Sequence, residues 1–156
     1  MSGDDARAER VRELVATVGE ALGLPGDVTI EERPEGIRAV LEGDDLGLFI
    51  GRHGQTIDAV QHLAFKVANR DAGRDDAVRV TVDAAGYRAR REQALHRQAE
   101  QAAEQAVESG RPVALDAMSA TERKVVHEFL KDRGDVETYS EGTEPDRHLV
   151  VAPLSA

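Results

Sequence analysis

Apolar residues recur at helical spacing through residues 5–22, at Val11, Leu14, Val15, Val18 and Leu22. Steps of three and four residues place them on one stripe of an amphipathic helix, and Gly23, Pro25 and Gly26 end it. The period then falls to two. Residues 28–33 (VTIEER) and 36–41 (GIRAVL) alternate about Pro34-Glu35-Gly36, a hairpin signature. Leu46, Leu48, Phe49 and Ile50 predict a short helix that stops at Gly51. Ile57, Val60, Leu63, Ala64 and Val67 form the stripe of a further helix running to about Asn69. Residues 71–76 are polar and read as a loop, and Val78, Val80 and Val82 alternate as a strand. The order to this point is αββααβ.

From residue 86 to 109 the composition is helical, with Leu95, Ala99, Ala102 and Ala106 on one stripe whose small side chains allow close approach to a neighbour. Gly110 and Pro112 stop that helix. Residues 113–115 predict a short strand. Ser119 and Glu122 have the spacing of a capping box that opens a helix from Ala120 to about Arg133. Residues 136–140 and 148–151 predict strands separated by a turn at 141–145. The fold class is therefore α+β, and a domain boundary near Asp83 to Tyr87 is expected to separate residues 5–84 from residues 85–156.

Composition narrows the chemistry. The chain has no cysteine and no tryptophan, three Phe and two Tyr. Disulfides, thiolate metal sites and cysteine nucleophiles are excluded, and a reducing, cytoplasmic setting is expected. No run approaches the roughly 20 apolar residues of a membrane span, and the acidic N-terminus is not expected to act as a signal peptide. The net charge of −10 opposes nonspecific polyanion binding. Its distribution is uneven. Residues 1–51 hold 5 basic and 12 acidic side chains, residues 98–156 hold 6 and 12, and residues 52–97 hold 9 and 6. The middle of the chain, at +3, leaves room for a local basic strip, but strong nonspecific polyanion binding is not expected.

Gly51-Arg52-His53-Gly54 lies there, between two predicted helices. Glycines let the backbone approach a phosphate, and the helix that follows offers free N–H groups and the positive end of its dipole. Arg52 adds a cation, and Ile57 and Val60 are expected to floor a groove for splayed bases. The spacing is not specific by itself, because Gly23-Leu24-Pro25-Gly26 shares it and reads as a helix stop. A helix–helix turn without a ligand is the competing reading. Further on, Arg123 and His127 are four apart on one helix and so share a face, with Lys124 adjacent and Lys131 beyond. Arginine can fork onto a phosphate and imidazole can donate to it or stack on a base. A solvated helix face is the alternative.

An αββααβ unit with Ile-Gly-x-x-Gly between its second and third helices resembles the type II KH domain over about residues 8–83. KH domains clamp the backbone of about four nucleotides with this loop, which implies RNA contacts at Gly51, Arg52, His53 and Gly54. Residues 118–127 (MSATERKVVH) resemble the core of the R-three-H domain, named for an Arg and a His separated by three residues; the tail at 138–142 and 145–147 is also similar. That resemblance implies single-stranded nucleic-acid binding through Arg123 and His127, with Lys124 and Arg147 beside them. The two units joined by a long helix resemble the bacterial Jag family. The family implies a single-stranded RNA-binding protein acting as a chaperone or post-transcriptional regulator, with links to cell shape. It also implies a small single-KH protein as a possible partner. Many members carry an additional N-terminal Jag domain, which this sequence is expected to lack.

Other assignments are weaker. Tyr87, Arg88, Arg90, Arg91 and Arg97 form the densest basic run, available either to track a nucleic-acid backbone or to pair with acids such as Asp83 and Glu92. His62 and His96 read as solvated or core-edge residues. Enzymatic signatures are missing: there is no P-loop, no Gly-x-Ser-x-Gly elbow, and His127-Glu128 lacks a second histidine because residue 131 is Lys. No catalytic residue, cofactor or metal is expected. A protein-interaction scaffold with a KH-like unit that does not bind RNA is the alternative function. A homodimer is possible through the alanine stripe, which could equally be satisfied within the chain.

Overall fold

The computed structural model describes residues 2–155 and divides after Arg88 into two compact units. In the first, α1 (Gly3–Ala21) precedes a hairpin of β1 (Asp27–Arg33) and β2 (Gly36–Glu42). Next come α2 (Gly47–Ile50), a 3-10 turn (Arg52–Gly54), α3 (Gln55–Ala68) and β3 (Val80–Ala84). The sheet order is β1-β2-β3, antiparallel between the first two and parallel between the last two. This is the αββααβ arrangement expected of a type II KH fold.

Alternation on the strands explains the core. Ile37, Ala39 and Leu41 on β2 and Val80, Val82 and Ala84 on β3 turn to one face and are buried. The apolar stripes of α1 and α3 cover them, with Val11, Val15, Ile57 and Ala64 fully buried. Each fully buried aliphatic side chain of Val or Leu size contributes about 1.5–3 kcal/mol. Two boundaries differ from expectation. Ser2 accepts from the Asp5 N–H while Asp5 accepts from the Ser2 N–H, so α1 begins at Gly3 rather than residue 5. This bonding holds the Asp5 carboxyl below its usual range. Strand β3 begins two residues later than the valine alternation implied. The N–H and C=O of Val78 are both taken by the side-chain amide of Asn69, and Ala84 continues the ladder beside Leu41.

In the second unit the long helix α4 (Tyr87–Ser109), which starts in the first unit, leads to β4 (Val113–Ala114), α5 (Ala120–Leu130), β5 (Val136–Glu141) and β6 (His148–Pro153). The sheet order is β4-β6-β5, antiparallel throughout. Leu95, Ala99, Ala103 and Ala106 of α4 pack in one core with Val126 and Leu130 of α5 and with Leu149 and Val151 of β6. The alanine stripe is thus satisfied inside this unit. Helix α5 stops at Leu130 rather than Arg133, because the Arg133 N–H donates to the Leu130 carbonyl and Arg133 pairs with Asp135 at 2.8 Å. No helix among the described residues is long and apolar enough to cross a membrane.

Candidate nucleic-acid interface

The Gly51–Gly54 loop is built by backbone geometry. Gly51 has φ 75° and ψ 176°, a region open only to glycine. A Cβ there would lie 2.8 Å from the Thr56 Cβ. Gly54 is left-handed at φ 76°, and a Cβ would lie 2.5 Å from the Tyr87 Oη. The loop backbone is therefore closed on its inner side by Thr56 and Tyr87. His53 is left-handed as well, at φ 54°. Its side chain and that of Arg52 are exposed, and among the described residues neither makes a hydrogen bond or ion pair. Helix α3 starts at this point, and no side chain caps its N-terminus.

The expected groove floor is not where the pattern placed it. Ile57 and Val60 are core residues, 0% and 4% exposed. The apolar surface that stays open in this unit is Leu48, one turn before the loop, with Leu63 and Phe65 on α3. On the flank of α3 that faces β3, Gln61 accepts from the Val82 N–H at 3.0 Å, and Asn69 bonds both peptide groups of Val78. Phe65 lies midway between these two tethers, at the same four-residue interval.

The basic run splits by role. The Arg88 guanidinium bonds Asp58 at 2.6 Å, Gln61 at 3.0 Å and the Val82 carbonyl at 3.2 Å. Arg91 pairs with Glu122 at 2.7 Å. For the Arg88 guanidinium the acid is Asp58 rather than the sequence neighbours anticipated. Asp83 is 1% exposed and takes the Arg88 N–H and the Arg38 guanidinium, while Glu92 lies beside His96. Arg97 is exposed.

In the second unit the Ser119 hydroxyl accepts from the Glu122 N–H as expected, but the Glu122 carboxylate is turned to Arg91. Arg123 and His127 share the α5 face but not its environment. Arg123 is 8% exposed. Its guanidinium donates to the Met118 carbonyl at 2.6 Å, to Glu144 at 2.8 Å and, more weakly, to the Arg147 carbonyl at 3.4 Å. Arg147 donates to the Gly142 carbonyl at 2.7 Å. His127 is exposed, with Nδ1 2.5 Å from the Thr138 Oγ1, and Lys124 is exposed one turn earlier. Lys131 hydrogen-bonds Glu128 at 2.7 Å, which raises the ammonium pKa and lowers that of the carboxyl. Its charge is compensated, whereas Lys124 carries an exposed ammonium and His127 an exposed imidazole on this face. His96 stacks on Phe129 with ring centres 4.2 Å apart, so it is a core-edge residue. Phe65 escaped the sequence reading, since it belongs to no charged or glycine-bearing pattern; Thr138 entered it only as part of the tail at 138–142, not as a partner of His127.

Comparison with known proteins agrees with both halves. The KhpA/KhpB KH domain family matches residues 9–83, and the R-three-H domain family matches residues 93–153. The RNA-binding protein KhpB of Clostridium symbiosum is 33% identical over 146 residues, covering 92% of this chain and 65% of the relative. Its counterpart in Bacillus subtilis (strain 168) is 32% identical over 146 residues, covering 92% and 69%. That of Lactiplantibacillus plantarum is 37% identical over 139 residues, covering 89% and 42%. The chain thus spans between 42% and 69% of the length of these relatives.

Proposed function

This chain belongs to the KhpB (Jag) family, a KH domain followed by an R-three-H domain, and on that premise we propose that it binds single-stranded RNA without catalysing a reaction. One observation carries the reading. Two exposed side chains, Arg52 and His53, sit between two glycines whose inner side admits no Cβ, at the uncapped start of a 14-residue helix. A phosphate there meets backbone N–H groups, a helix dipole and a cation together. Gly51 and Gly54 let the backbone approach, and Leu48 offers apolar surface one turn away.

The second contact is His127 with Lys124. Arg123 holds the segment around Met118 and the 144–147 turn in place, and Arg147 fastens that turn at Gly142 while adding charge beside it. Backbone clamping with few exposed aromatics gives weak sequence preference, which suits an RNA chaperone or post-transcriptional regulator working in the cytoplasm. A small single-KH protein is the partner that the family resemblance implies. The alanine stripe, buried within its own unit, lends no support to a homodimer.

The test is a titration of the full chain against a pool of short labelled single-stranded RNAs at two salt concentrations, beside the Arg52→Asp, His53→Asp double variant. The variant places two anions where the phosphate sits. It is expected to lose about tenfold or more in affinity, with a shallower salt dependence and an unchanged circular dichroism spectrum. Equal binding by both proteins would remove the loop from the interface.

A further inference from the structure

Asp58 is the acid in the first turn of α3, the turn that follows the glycine loop. An acid there stabilises the helix through its dipole, but it repels a phosphate drawn to the same positive end. Arg88 lies against it. All three guanidinium nitrogens are engaged, with Nη1 on Asp58, Nη2 on Gln61 and Nε on the Val82 carbonyl. Arg88 is itself oriented by Asp83, whose Oδ1 accepts its backbone N–H at 3.1 Å. Asp83 is 1% exposed and is fixed in turn by Arg38 at 3.0 Å. The preceding residue, Tyr87, is the one packed against Gly54. Two consecutive residues at the start of α4 therefore complete the loop, one sterically and one electrostatically.

We infer that Arg88 is a positioning residue for RNA binding at the glycine loop: it neutralises Asp58 and so keeps the phosphate site positive. With Arg88 in place, the loop end carries the uncompensated charge of Arg52. Without it, Asp58 offsets Arg52 and the site becomes electrostatically neutral. This rests on the RNA reading of the loop and extends it, because it makes the first turn of α4 part of the binding unit.

The experiment uses the full chain, the same RNA pool and four variants: Arg88→Gln, Arg88→Lys, the double Asp58→Asn, Arg88→Gln, and the loop variant Arg52→Asp, His53→Asp. Arg88→Gln is expected to lose about fivefold in affinity at low salt, with a deficit that shrinks as salt is raised, since like-charge repulsion is screened. Arg88→Lys retains most of the affinity by keeping the charge. The decisive result is recovery. Asp58→Asn in the Arg88→Gln background restores binding to within about twofold of wild type, although the contacts to Gln61 and Val82 are still missing. Failure to recover would assign Arg88 a purely structural role and overturn the inference. So would wild-type affinity of Arg88→Gln alongside weakened binding by the loop variant, an outcome that leaves the loop reading intact. Wild-type affinity of the loop variant would instead refute the loop reading, and the role of Arg88 with it.

Discussion

At Arg123 the side chain that the Arg-x-x-x-His spacing presents as a ligand is spent on the protein itself. A guanidinium that is 8% exposed and bonded to the Met118 carbonyl and Glu144 ties local structure together. His127, one turn on, is exposed and, among the described residues, hydrogen-bonds Thr138. A four-residue interval puts both on one face within about 40°, yet it does not say which edge of that face the 144–147 turn will cover. The expected consequence is a stability effect. Arg123→Met keeps the length but leaves a buried carbonyl without its charged donor. It should cost the second unit about 1.5–3 kcal/mol, read as faster hydrogen exchange across residues 118–153 with residues 9–83 unchanged. If exchange stays the same and only RNA affinity falls, Arg123 is a direct ligand. His53 shows the opposite case at this scale. Its left-handed backbone is uncommon for a non-glycine residue and costs about 1–2 kcal/mol, and among the described residues the exposed imidazole makes no hydrogen bond or ion pair that would explain the geometry.

Among the elements, α4 shows what small side chains do. Ala99, Ala103 and Ala106 are all 0% exposed, so the helix approaches its neighbours with no room beyond a methyl group. Ala103→Leu should therefore cost about 1–3 kcal/mol through overpacking. A lowered urea midpoint for the second unit would show it, and an unchanged midpoint would mean that the stripe tolerates expansion. Elements with strict periodicity were legible in advance. The hairpin followed from alternation about Pro34-Glu35, and α3 followed from Ile57, Val60 and Ala64, all of them core residues. The errors fall where side chains compete with backbone ladders. Asn69 takes both peptide groups of Val78 and delays β3, and Arg133 tightens the end of α5 three residues early. The capping box at Ser119 is half formed because Arg91, 31 residues away, claims the Glu122 carboxylate. Local patterns carry no information about such distant partners. The same limit hid the Arg88–Asp58 pair, 30 residues apart, and left Ile57 and Val60 looking available as a groove floor.

For the molecule as a whole, a net charge of −10 makes long-range attraction to RNA weak, so affinity has to come from short-range contacts. The contacts proposed at Arg52 and His53 in the first unit, and at Lys124 and His127 in the second, would each be too few to hold a chain tightly. Two weak sites on one polypeptide gain from linkage, because binding at one raises the effective concentration of the RNA at the other. Length dependence follows. An RNA that occupies the glycine loop alone should bind weakly, and affinity should rise by about tenfold or more once the strand is long enough to engage both units. Lys124→Asp with His127→Asp should abolish that rise while leaving the affinity for the shortest RNA nearly unchanged. The loop variant Arg52→Asp, His53→Asp should weaken binding at every length. Anisotropy titrations over a ladder of RNA lengths at one fixed salt concentration distinguish the cases. A rise that survives the Lys124 and His127 changes would mean that the added nucleotides are held elsewhere, with exposed Phe65 on the β3 flank of α3 the first place to look.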